Sequence, residues 1–211
     1  MKNKTIQVAY AEPEDYFPKE IRTTYKLGEY AEDPMFVKIK SVMLGHAVGD
    51  ALGVPVEGCS RKLLDEYPVV EMTGFGTYRV PAGSWSDDTS MSLAALDSLA
   101  KGQVLYHDIM GNFQRWFYRA TYTPTGKVFD VGGTCRAVIE KVTSEFHGEN
   151  EMGFWSPERF NAEVNCGLDD EFSNGNGSLM RIHPMAFYLH YKKIPYEEAI
   201  EIIHNTSYFH P

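Results

Sequence analysis

The stretch Trp85-Ser86-Asp87-Asp88-Thr89-Ser90-Met91-Ser92-Leu93-Ala94-Ala95-Leu96-Asp97-Ser98-Leu99 sets two adjacent carboxylates between hydroxyl side chains, where a helix should begin. Pro81, Ala82, Gly83 and Ser84 hold the approach in a loop. From Met91 to Leu99 the pattern is helical, with Met91, Ala94, Ala95 and Leu99 available as an apolar face. Hard oxygen donors gathered at one loop-to-helix junction suit Mg²⁺ or Mn²⁺ and suit Zn²⁺ poorly. The plainer reading is that Ser86 or Asp87 only caps the helix, with the aspartates favoured by its dipole.

Composition narrows the class. A chain of 211 residues, 43% hydrophobic and 23% charged, has the length and make-up of one large soluble domain. Its net charge of −9 argues against nucleic-acid or anionic-membrane partners, both of which want basic clusters. A phosphorylated ligand stays open, because backbone N–H groups and a bound metal can neutralise phosphate locally. Cys59, Cys135 and Cys166 are isolated thiols without a CxxC pair, which points to neither a zinc site nor a disulfide framework and makes a reducing cytoplasm the default. The start Met1-Lys2-Asn3-Lys4-Thr5-Ile6 leads into polar residues, so no signal peptide is expected, and no apolar run is long enough for a bilayer.

Residues 1–33 read as a polar leader in which Glu12, Glu14, Asp15, Lys19 and Glu20 alternate with Pro13 and Pro18. Residues 34–211 read as the folded domain. Pro34 suits a first helical position, and Met35 to Leu52 follows as a helix. Gly45, Gly49 and Gly53 recur every fourth residue there, leaving a stripe that another backbone or a ligand can approach. Val69 to Ser84 is irregular, with at most a short hairpin. Further helices are expected at Asp108 to Tyr118, from Gly132-Gly133-Thr134 through Val142, at Met185 to Tyr191 and at Tyr196 to Asn205, with a short one after Pro157. Strand signals are few, so the fold class is all-α.

Three other segments share the character of the acidic corner. Gly49-Asp50-Ala51-Leu52-Gly53 puts Asp50 on the small-residue face, and Glu57 follows just beyond the helix end. A buried Asp on such a face needs a metal or a hydrogen-bonding network. Asp130-Val131-Gly132-Gly133-Thr134 puts two glycines at a helix start, where free N–H groups can hold an anion. Ser173-Asn174-Gly175-Asn176-Gly177-Ser178-Leu179-Met180-Arg181 is a glycine- and asparagine-rich loop running into a helical segment. Taken singly, these are a glycine-rich helix end, a plain turn and a C-cap.

Together, and in this order, the segments resemble the ADP-ribosylglycohydrolase family, over roughly residues 36–211. The resemblance implies a compact, orthogonal all-α bundle around a dinuclear Mg²⁺ or Mn²⁺ centre. Ser86, Asp87 and Asp88 match metal ligands, with Ser86 standing where the family more often has Thr. Glu57 matches a carboxylate over the substrate ribose and joins Asp87 and Asp88 as a catalytic candidate. Asp50, Gly132, Gly133, Ser173, Gly175, Asn176 and Gly177 match substrate-binding positions, the glycine elements cradling the diphosphate and distal ribose. The implied reaction removes ADP-ribose from an ADP-ribosylated protein or small molecule in the cytoplasm.

The family normally supplies a second ligand group, Asp-x-Asp followed by Thr or Ser, well downstream, and its C-terminal helices complete the bundle. This sequence stops at Pro211, and Asp169-Asp170 precede the glycine-rich loop, the wrong order to substitute. The expectation is therefore a C-terminally truncated chain, complete as a hydrolase only with the missing segment or a complementing C-terminal chain. The alternative is a non-catalytic remnant that binds ADP-ribose or serves as a scaffold.

Overall fold

The computed structural model of the chain describes residues 32–145 and 175–208. The polar leader up to residue 31, the helix expected after Pro157, Asp169-Asp170 and Ser173 lie outside the described residues. Among those described there are seven α-helices, short 3-10 turns and no strand, so the fold is all-α as expected. Packing divides the chain into two compact units, Met1–Ser84 and Trp85–Pro211, and the division falls just before the acidic corner.

In the first unit, α1 spans Pro34–Gly53. Pro34 presets the first turn, and the Asp33 carboxylate accepts the N–H groups of Met35 and Phe36, each at 2.9 Å. The helix tightens into a 3-10 turn at Val54–Val56, and α2 follows at Arg61–Glu66, capped by the Ser60 hydroxyl. The stretch after α2 is irregular. The Phe75 N–H donates to the Val80 carbonyl at 2.8 Å across a turn that puts Phe75 and Arg79 at φ 59° and 55°. Thr77 ties this loop to the turn after α1, its N–H on Pro55 O at 3.0 Å and its hydroxyl on Glu57 O at 2.7 Å. Only glycine fits at 76, because a Cβ there would sit 1.8 Å from the Pro55 carbonyl oxygen. Along the glycine stripe of α1, no described atom lies within 4 Å of a Cβ built on Gly45, Gly49 or Gly53, so among the described residues no backbone makes the close approach the stripe permits.

The second unit holds the core. It is built from α3 (Asp87–Leu99), α4 (Tyr106–Arg119), α5 (Gly133–Glu145), α6 (His183–Lys192) and α7 (Tyr196–Tyr208). Met91, Ala94, Ala95 and Leu99 of α3 are buried, as their spacing predicts, against Ile109, Phe113 and Trp116 of α4. Cys135, Val138, Ile139 and Val142 of α5 and Met185 and Leu189 of α6 complete this cluster. The Asn112 side-chain amide, fully buried, donates to the Ala94 carbonyl at 2.9 Å and so joins α4 to α3. Small hydroxyl residues let neighbours lie close on α3. The Ser92 hydroxyl is shared between the Asp88 carbonyl at 2.8 Å and the Met180 carbonyl at 3.2 Å, which lays the turn Leu179–Arg181 onto the first half of α3.

Candidate functional site

The start of α3 places its side chains in a way that a cap alone does not explain. Ser86 occupies the N-cap position with extended backbone, yet its hydroxyl caps no backbone N–H. It donates instead to Asp88 Oδ2 at 3.2 Å. Ser86 is 7% exposed and Asp87 5%, so both are held inside the unit. The helix dipole favours two carboxylates in this first turn, but burial opposes them and demands partners. For Asp87 one partner is the Gly132 N–H, which donates to Oδ2 at 3.0 Å. The acidic corner and the glycine turn before α5 are thereby joined directly.

The loop on the other side of the corner is fastened to it. The Trp85 indole N–H donates to the Tyr122 carbonyl at 3.0 Å, and the Tyr122 hydroxyl donates to Asp97 Oδ2 at 2.7 Å. Burial and the Asp97 carboxylate hold the Tyr122 phenol well above its usual range, so it stays a donor at any working pH. A narrow cleft opens beside Asp87 between these segments, lined by Trp85, Ser86, Thr123, Lys127, Phe129 and Asp130.

The two glycine elements meet around a residue that sequence reasoning passed over. Cys135, on the first turn of α5, is 1% exposed. A Cβ on Gly177 would lie 2.7 Å from its sulfur, so the loop backbone rests on the thiol and leaves room only for glycine. A Cβ on Gly132 would lie 3.8 Å from the same sulfur and from Asp87 Oδ2, an ordinary contact. Gly175 faces Thr134 Oγ1 at a similar 3.8 Å, and the Cβ position of Gly133 is open. Asn176 is exposed, and its carbonyl accepts the Met180 N–H at 3.2 Å. Burial above all, with the nearby Asp87 and Asp88 charges, pushes the Cys135 thiol up to about 11, partly offset by Arg181. Arg181 is itself fully buried. Desolvation brings its guanidinium down to about 10, its Nη2 donates to the Thr206 carbonyl at 3.2 Å, and it lies 5.0 Å above the Phe113 ring. Its Nε and Nη1 have no hydrogen-bond partner among the described residues.

The structure thus brings Ser86, Asp87, Asp88, Gly132 and Gly177 into one neighbourhood of the second unit. Asp50, half-buried on α1, and Glu57, exposed after the 3-10 turn, belong to the first unit. Ser173 lies outside the described residues. No sequence pattern marks Cys135, an isolated thiol; Arg181 stood in a quoted motif, but its burial depends on α4 and α7 packing over it.

The family model of ADP-ribosylglycohydrolase matches residues 32–210. The chain belongs to the ADP-ribosylglycohydrolase family. Among characterised relatives, it is 32% identical over 152 residues to the ADP-ribosylarginine hydrolase Tri1 of Pseudomonas putida, covering 72% of this chain and 36% of that protein. It is 33% identical over 122 residues to the Tri1 protein of Serratia proteamaculans, covering 57% and 32%. With the ADP-ribosyl-[dinitrogen reductase] glycohydrolase of Rhodospirillum rubrum it shares 40% over 105 residues, covering 48% and 33%. The matched stretches span about a third of each relative's length. Among the described residues, no helix of this family member is long and apolar enough to cross a membrane.

Proposed function

We propose that the protein is a metal-dependent hydrolase that removes ADP-ribose from an ADP-ribosylated protein, with modified arginine the first substrate to test. The observation that carries this reading is the hydrogen bond from Gly132 N–H to Asp87, which couples an oxygen-rich corner to a helix N-terminus. Such a pairing suits a ligand with ribose hydroxyls at one end and a diphosphate at the other. The relatives supply the substrate class, since two are ADP-ribosylarginine hydrolases and one acts on ADP-ribosylated dinitrogen reductase.

The donor chemistry at α3 fits Mg²⁺ or Mn²⁺. Ser86 Oγ and an Asp88 carboxylate oxygen already stand 3.2 Å apart, and Asp87 is beside them on the same turn. Among the described residues no group of three or more acidic, histidine or cysteine side chains forms a metal site. Water and substrate oxygens would fill the remaining positions, as hard cations of this kind accept readily. Ser86, Asp87 and Asp88 would hold the ion, which would supply a polarised water and orient the ribose hydroxyls. Asp87, steadied by Gly132, fixes the direction from which the ribose meets the corner. The N–H groups at the start of α5 and the backbone of Gly175–Gly177 hold the diphosphate. In the reaction, a water oxygen bonds to the anomeric carbon, the carbon–nitrogen bond to arginine breaks, and the guanidine nitrogen takes the proton that water gives up.

The test is release of ADP-ribose from an ADP-ribosyl-arginine peptide with Mg²⁺, by the chain alone and joined to the downstream segment of a full-length relative. Activity in the joined protein that disappears in Asp87→Ala supports the proposal. No release from either form, with both folded, rejects it.

A further inference from the structure

Cys135 stands where the two backbone elements assigned above to the diphosphate come together. Its sulfur is the atom that a Cβ on Gly177 would strike at 2.7 Å and that a Cβ on Gly132 would touch at 3.8 Å. The far end of the same loop is held separately. Arg181 is 1% exposed, pinned through Nη2 to the Thr206 carbonyl and stacked over Phe113, with Nε and Nη1 unpartnered among the described residues. The segment from Gly177 to Arg181 is therefore seated at one end on a thiol and at the other on a buried guanidinium. Such a seat transmits small changes in volume, because a packed interior gives by only tenths of an ångström.

We infer that Cys135 is a positioning residue, setting the spacing between the N-terminus of α5 and the Gly175–Gly177 loop and hence the span available to the ligand's diphosphate. The inference rests on the ADP-ribose reading. The thiol does no chemistry of its own; it is buried and protonated at neutral pH, and acts as a small, soft spacer. Serine nearly keeps its volume. Alanine lets the loop settle inward, and valine forces it outward.

The experiment is a double-mutant cycle on the full chain with Gly177→Ala, Cys135→Ala and the pair, read by calorimetric titration with ADP-ribose where all forms are folded. Gly177→Ala alone is expected to weaken binding about tenfold or more, because its Cβ meets the sulfur. In the Cys135→Ala background the same change should cost about threefold or less, since the obstructing atom is gone. Additive effects would overturn the inference. Should Gly177→Ala fail to fold, Cys135→Ala and Cys135→Val must each weaken ADP-ribose binding while Cys135→Ser preserves it, and unchanged affinity in all three rejects the positioning role. If the folded wild-type chain binds no ADP-ribose, the functional reading falls. The cycle is then read from denaturant unfolding, where additivity of the two substitutions rejects the Cys135 contact itself.

Discussion

Asp87 and Gly132, 45 positions apart in the chain, are joined by a 3.0 Å hydrogen bond from the glycine N–H to the aspartate carboxylate. Aspartate at a helix start is ordinary, and glycine before a helix is ordinary. Their direct bond is not, since it commits a backbone donor at one helix start to a buried carboxylate at another. The bond holds the Asp87 carboxylate in one direction within the corner and ties that corner to the start of α5.

Metal binding is expected from the hydroxyl and carboxylate oxygens gathered at Ser86–Asp88. Mn²⁺ should broaden or relax signals from residues around Ser86–Asp88, with an affinity on the order of millimolar for so sparse a set of protein ligands. Asp87→Asn and Asp88→Asn should each shift the titration to higher concentration while leaving far-ultraviolet circular dichroism unchanged. Superimposable Mn²⁺ titrations for wild type and variants would remove the metal assignment.

Two glycine substitutions in the first unit should move stability in opposite directions. Gly76→Ala pushes a methyl group into the Pro55 carbonyl, where the built Cβ stands at 1.8 Å, and should cost about 1–3 kcal/mol or more. Gly45→Ala meets nothing within 4 Å on an exposed helix surface and should gain about 0.5–1 kcal/mol from the reduced freedom of the unfolded chain. Urea unfolding of the two variants checks both signs.

Much of this molecule is legible where neighbours in sequence are neighbours in space. The apolar faces of α3 and α4 follow from spacing, and Pro34 marks the start of α1. Legibility fails where distant segments decide the outcome. The glycine stripe of α1 signals that close approach is possible, not that a partner is there, and no described atom takes the offer. Ser86 has the side chain and position of a cap, yet it bonds to Asp88, a choice set by the buried surroundings of the corner. Cys135 carries no motif at all. Its place follows from how near the Gly177 backbone comes to α5, a distance no local pattern contains. The ordered motifs are readable because each is local; the bond that joins Asp87 to the Gly132 turn is not.

Alkaline unfolding should report the burial of Cys135. Its thiol is raised from 9.0 to about 11 in the folded chain, so the unfolded chain ionises first as pH rises. The stability linked to this group is complete below pH 9 and is lost as pH climbs from 9 toward 11, by roughly 2–3 kcal/mol. Arg181 works in the opposite sense from about pH 10 upward, because its lowered folded value relieves a burial cost as it deprotonates. Comparing wild type with Cys135→Ala isolates the thiol: the difference in unfolding free energy between them should shrink from pH 8.5 to pH 10.5 by an amount on this order. A difference that stays constant across that range contradicts the buried, protonated thiol.

On the proposed function, one site built on Asp87 and the Gly132 turn takes ADP-ribose with the help of a divalent cation. Calorimetric titration of ADP-ribose into the folded chain, with Mg²⁺ and then with chelator, tests it most directly, with Asp87→Asn alongside. Binding should require Mg²⁺ and be lost in Asp87→Asn. Binding indifferent to both the cation and Asp87, or no binding to a folded chain, would contradict it.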